Sequence, residues 1–305
     1  MFERQRLLPS PDSEGLSEQD RLYAAYYTDD PVVALISSMA GELPDERYST
    51  PLQGVADDLA ASPYLRTLLD FATWARDGVP LTATGNLRVA PAREAYDALG
   101  LEQWARDLAR LQYDIDPPLP GPAAMGMEAW IEQQVARDRP TRSAGDSVGL
   151  ERLLAGGGAA GLLVDEGRRI VGRPVEEEPT AKGWRDLGIR AAIGVFEWLR
   201  ERELSTAIVT QAILRSLVHG RRPVSLEEMD RFCQAWLTPP EDRRMSGADG
   251  ALRRTHRRGR VNAALGLVAD LGILVLDHDS VRLTDAGDDF FWTWWDFLEE
   301  QAPRA

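Results

Sequence analysis

The sequence predicts a mainly α-helical chain with short β-hairpins, organised as tandem winged-helix-like units, and three observations lead there. Apolar residues recur at helical spacing through long stretches such as "SPYLRTLLDFATW" and "GWRDLGIRAAIGVFEWLRER". Two segments, "GLLVDEGRRIV" and "GILVLDHDSVRL", read as apolar strand, polar turn and second strand, which is a hairpin signature. A Thr-x-x-Gly element recurs at Thr82, Thr180 and Thr284, spaced 98 and 104 residues apart, and each copy leads into a helix-like run.

Taken in order, residues 1–60 form an N-terminal helical cap: Ser17 and Asp20 open one helical run, and "DPVVALISSMAGEL" offers a second. The next unit spans 61–115. Ser62 can cap a helix there, Pro63 fits its first turn, and Leu65, Leu68, Leu69 and Ala72 keep one apolar face until Gly78 and Pro80 stop it. "APAREAYDALGLEQWARDLARLQ" then predicts two short helices broken near Gly100, and the proline-rich "YDIDPPLPGPAAMG" is a connector. In the second unit, 122–203, a helix from Met127 to Ala136 precedes a short helix with a glycine-rich end, the first hairpin and a long amphipathic helix. The third unit, 204–305, contains another helix and a capping box formed by Ser225 and Glu228. It ends on helix, hairpin and the aromatic run "FFWTWWDFL".

The repeated pattern of Leu/Ala-rich helix, glycine, strand, turn, strand and Thr-x-x-Gly is the ending expected of a winged-helix domain. Gly161 and Gly272 hold corresponding places in the last two copies. The first copy is least complete, because "WARDGVPLTATG" leaves room for one strand and no evident partner. In each copy a threonine hydroxyl is expected to cap the following helix, while the glycine permits close packing.

One stretch also carries a resemblance. "FATWARDGVPLTATGNLRVAPAREAYDAL" resembles a segment of actinobacterial proteins, some related to plasmid ORF-3-type proteins, that show "GxPLTxTGNLRxADAR". Pro80, Leu81, Thr82, Thr84, Gly85, Asn86, Leu87, Arg88, Ala90, Ala92 and Arg93 match, and Pro91 stands where that pattern has aspartate. The likeness covers about residues 60 to 200 and implies no activity, so it transfers no catalytic residue.

Charge narrows the function classes. The 305-residue chain carries a net −14, so as a whole it repels phosphate backbones, and a nucleic-acid role requires a local basic patch. "RRMSGADGALRRTHRRGR" supplies one, with seven arginines against the single acid Asp249. Its Arg253, Arg254, Arg257, Arg258 and Arg260 lead into the helix before the last hairpin, and Arg282 would add a contact from the wing. These six are the candidate residues for double-stranded DNA. The competing reading is a solvated loop whose arginines face the chain's own acids or an acidic partner protein. Phe291, Trp292, Trp294 and Trp295 crowd one helix; core packing is one explanation, and a surface for self-association or a partner protein is the other.

Catalytic, cofactor and metal residues are not assigned. "GGGAAG" at Gly156 to Gly161 formally fits GxGxxG, but a helix precedes it and a strand follows, the reverse of a dinucleotide fingerprint. His219, His256 and His278 are scattered, and "DHD" at 277–279 sits where a hairpin turn wants polar residues. The lone Cys233 cannot form an intramolecular disulfide. No apolar run approaches the ~20 residues of a membrane span, and "MFERQRLLPSPDSEG" lacks a signal-peptide core. The expectation is therefore a cytoplasmic, non-enzymatic binding protein with no membrane partner. A DNA-binding regulator ranks first, an interaction scaffold second and an unrecognised enzyme third.

Overall fold

Leu52–Ala61 is α1, and the turn out of it is also the N-cap of α2, Pro63–Trp74, where Ser62 Oγ accepts a hydrogen bond from the Leu65 amide at 3.2 Å. The computed structural model describes residues 50–83, 87–115, 126–141, 147–202, 263–277 and 280–301. It also describes 206, 209, 210, 213, 214, 216–218, 223–226, 228 and 229. The expected N-terminal cap helices and Cys233 lie outside these residues.

A 3-10 turn, Ala75–Asp77, follows α2 and leads into strand β1, Val79–Pro80. Helices α3, Val89–Ala98, and α4, Leu101–Ile115, break at Gly100, which takes a left-handed φ of 62°. Met127–Asp138 is α5 and Val148–Ala160 is α6, the latter absorbing the glycine-rich stretch that the sequence left at a helix end. Strands β2, Leu163–Asp165, and β3, Arg169–Gly172, make the first hairpin; α7, Ala181–Arg202, follows. The described residues of 206–218 are helical, β4 is Val224–Ser225, and a helix at 263–270 precedes the second hairpin. That hairpin is β5, Leu274–Asp277, with β6, Ser280–Leu283, and α8, Asp285–Gln301, follows it.

Both sheets are antiparallel and share one topology. The orders are β1-β3-β2 and β4-β6-β5, so each hairpin takes its third strand from a dipeptide lying upstream of the intervening helices. Val79 pairs with Ile170 and Pro80 with Arg169; Val224 pairs with Val281 and Ser225 with Ser280. Pro80 is tolerated because β1 is an edge strand, where a missing N–H interrupts no ladder. This pairing alters the expected organisation. The strand assigned to a separate unit at 61–115 finds its partner in the hairpin of 122–203, and the described residues hold two sheets where three units were expected.

The recurring Thr-x-x-Gly is a helix cap at its second and third copies; at the first, α3 has Arg88 at its N-cap position and no side-chain cap, so the expected capping role of Thr82 is not met. Thr180 Oγ1 accepts from the Gly183 amide at 3.2 Å, and Thr284 Oγ1 accepts from the Gly287 amide at 2.9 Å. Thr284 is buried and also donates to the Gly272 carbonyl at 2.7 Å, tying α8 to the residue that ends the 263–270 helix. Any Cβ on Gly287 would collide with the Ile273 carbonyl oxygen, so the glycine is required by close approach. Gly161 and Gly272 end their helices with matching left-handed φ of 75° and 77°.

One apolar cluster runs through both sheets and the helices around them. At its centre α6 crosses α7 at close range, because Gly156 faces Ala191 and Gly194 faces Ala155; a Cβ on Gly194 would sit 2.6 Å from the Ala155 carbonyl oxygen. "GGGAAG" is therefore a packing surface. From the other side, α8 presses Phe290 and Trp294 against Phe196 of α7, with ring centroids 4.9 and 5.3 Å apart. Arg185 of α7 and Asp289 of α8 add an ion pair at 2.8 Å, and Asp58 of α1 accepts the Ala286 amide at 3.2 Å. Helices α4 and α5 form a hairpin with a small core of its own around Ala109, Ile131 and Val135, while Leu101 and Trp104 of α4 join the main cluster.

Replacing Thr284 by alanine removes a cap and a buried hydroxyl bond, and should lower unfolding free energy by about 2 kcal/mol. Thr180→Ala, at an exposed cap, should cost about 0.5 kcal/mol. Urea denaturation of both variants checks the ranking, and a larger loss at Thr180 would contradict it.

Candidate functional site

Helix α6 turns Arg152 inward, and the 263–270 helix ends on Asp270; the two side chains meet at 2.8 Å with 4% and 5% of their surfaces exposed. Two further elements complete the setting. Trp104 of α4 donates its indole N–H to Asp270 Oδ1 at 2.9 Å, and Ser62 at the head of α2 donates to the Asp270 carbonyl at 2.9 Å. Tyr64 of α2 donates its hydroxyl to the Arg152 carbonyl at 2.7 Å. The guanidinium lies 5.7 Å from the Tyr64 ring centroid and 5.3 Å from that of Trp104, a double cation–π contact.

Burial sets the electrostatics. It pushes the Asp270 carboxyl above the usual carboxylate range, against the pull of Arg152 and the Trp104 N–H. It likewise raises the Tyr64 hydroxyl, which therefore acts as a donor in the neutral state. Nearby, Asp138 at the end of α5 accepts the Gly149 amide at 2.9 Å, and Ser147 caps α6 through the Leu150 amide at 3.1 Å. Burial raises Asp138 too; the Gly149 N–H and then Arg152 pull the other way.

Beside this cluster, between the α4–α5 hairpin and the body, lies a cavity of about 340 Å³. Trp104, Leu108, Asp138, Arg152, Trp198 and Leu267 are among its lining residues. Arg152 Nε is buried with no hydrogen-bond partner among the described residues.

The residues singled out in the sequence are placed elsewhere. Arg253, Arg254, Arg257, Arg258 and Arg260 lie outside the described residues, as do His219, His256 and His278. Arg282 is on β6 with 49% of its side chain exposed, 3.8 Å from Asp277. Phe291, Trp292 and Trp294 are in the core at 0%, 8% and 2% exposure, which corrects their reading as a partner surface; the Trp295 side chain lies outside the described residues. The helix expected to read a DNA groove is also turned inward: residues 264–268 and Asp270 are buried, and 263 and 269 half-buried. No group of His, Cys, Asp or Glu among the described residues could hold a metal ion, and no described helix is long and apolar enough to cross a membrane.

Sequence reasoning missed Arg152, Asp270, Asp138 and Trp104. One signal was present: an acid at the C-terminal end of a helix opposes the helix dipole, so Asp270 in "VADLG" called for another partner. Its partner lies 118 residues away, a distance that no periodicity bridges. No protein-family model, curated protein or solved structure matches this chain.

Two measurements probe the cluster. Asp270→Leu or Arg152→Met alone should each cost about 3–5 kcal/mol by stranding a buried charge, whereas the double variant should recover most of that loss. Additive losses in denaturant melts would show that the two groups do not act as a pair. The second concerns pH. Because the folded-state value of Asp138 is raised, its stabilising contribution is complete below the unfolded value near 3.8 and is lost as pH rises through the folded value. Stability of Asp138→Asn relative to the parent should therefore increase from about pH 4 upward, and a difference that stays flat with pH would contradict the assignment.

Proposed function

We propose that this chain is a non-enzymatic binding protein built from two winged-helix-like units, and that its target is duplex DNA held through the phosphate backbone. The shared strand order, with a helix directly before each hairpin and one short strand far upstream, supports the two-unit reading. The carrying observation is the burial of the helix at 263–270. A winged-helix unit reads bases by laying the helix before its wing into the major groove. A helix held in the core cannot do so. What remains for contact is the wing, with Arg282 exposed on the second hairpin and Arg168 and Arg169 exposed on the first. The arginine segment from Arg243 to Arg260 adds a net +6 in a chain of −14. Such a set binds phosphates and carries little base information.

The expected behaviour is sequence-independent binding that is steeply salt-sensitive. With about six phosphate contacts, affinity for a mixed-sequence duplex should fall about a thousandfold between 50 and 200 mM salt. Changing Arg253, Arg254, Arg257, Arg258 and Arg260 together to serine should abolish it, and Arg282→Ser should reduce the salt slope by about one. Fluorescence anisotropy with unrelated duplexes measures all three, and absence of binding at low salt would overturn the reading.

The overall charge of −14 favours a second reading, an interaction scaffold for protein partners. With Phe291, Trp292 and Trp294 in the core, its contact surface would be the arginine segment meeting an acidic face. No duplex binding at low salt, together with a mass that rises with protein concentration in sedimentation, would select it.

A further inference from the structure

We infer that the cavity between the α4–α5 hairpin and the body is a binding site for a small, largely apolar molecule with an uncharged amide- or lactam-type head. Neither the nucleic-acid reading nor the scaffold reading is needed for this. The volume of about 340 Å³ lies at the low end of small-molecule sites, roughly 300–1,000 Å³, and suits a one- or two-ring compound. Its walls are suited to such a body. Leu108, Leu199 and Leu267 line it with the indoles of Trp104 and Trp198, and Trp198 has its N–H engaged by Glu151 at 3.3 Å, so its ring contributes apolar surface.

The polar groups define the head. Arg152, with Nη2 committed to Asp270, is among the lining residues and puts a guanidinium, a donor group, in the cavity wall. Asp138 commits Oδ1 to the Gly149 amide. Asp138 lines the cavity beside Trp104, and Gly149 is required between them because a Cβ there would lie only 3.0 Å from Asp138 Oδ2 and 3.0 Å from Cζ3 of Trp104. An acceptor and an N–H donor side by side would satisfy both groups. Full charges fit poorly. A carboxylate head would meet Asp138, while an ammonium head would meet Arg152, Arg137 and the positive end of α6. An amide presents C=O and N–H together and carries neither penalty.

The test uses the full chain and three probes of one shape: benzamide, benzoate and benzylamine, followed by ligand-observed saturation-transfer NMR and thermal shift. Benzamide should bind at millimolar concentration, and the two charged probes at least about tenfold more weakly. Ala105→Phe, at a half-buried lining position, fills the space and should abolish the benzamide signal. Asp138→Asn adds no volume, retains an acceptor for Gly149, and should weaken benzamide about tenfold. Each variant is scored only after its melting curve matches a folded chain, so loss of fold is not read as loss of binding. The inference is overturned if benzamide gives no signal, if all three probes bind alike, or if neither variant changes benzamide binding.

Discussion

The buried pair of Arg152 and Asp270 is the constraint on which the remaining geometry depends. Two unit charges removed from water cost several kcal/mol each, and close contact with added polar and aromatic partners offsets part of that. Here the carboxylate takes a guanidinium and an indole N–H, and the guanidinium lies against two aromatic rings. A shift of about 1 Å in any contributing helix would break several of these contacts together. The pair adds little to net stability compared with a well-packed apolar filling. It penalises alternative arrangements of α2, α4, α6 and the helix at 263–270, so it selects one assembly of these helices.

That selection has a consequence for function. The helix directly before each hairpin packs largely towards the shared core. Of α6, Val148, Gly158 and Ala159 are exposed, and the 263–270 helix is buried or half-buried throughout. The glycines of α6 allow α7 to cover it from one side, and the aromatic residues of α8 complete the packing against α7. The hairpins are among the exposed parts of the fold, and they carry the exposed Arg168, Arg169 and Arg282. Opposite that packing, the α4–α5 hairpin covers the body incompletely, and the polar cluster borders the resulting cavity.

Local structure was legible because its causes are local. Ser62 before Pro63, Gly100 between two apolar runs, the polar turns between apolar strands, and Thr180 and Thr284 three residues before glycine all act within one or two turns of chain, and the structure places a cap, break, hairpin or cap at each. The mainly helical class with short hairpins follows from the same kind of evidence. The aromatic run in α8 was legible as apolar but not as buried or exposed, because composition alone does not say what lies opposite a helix face.

What the sequence by itself determined is therefore many of the elements and several of their ends, since hydrogen bonding and side-chain sterics over a few residues decide them. Tertiary structure decided which elements meet. Pairing Val79 with Ile170 across the intervening helices merged what looked like two units into one sheet. Setting Arg152 against Asp270 turned two unremarkable helix residues into the polar centre of the molecule. Both outcomes depend on burying one continuous apolar surface, a property of the whole chain that no segment expresses alone.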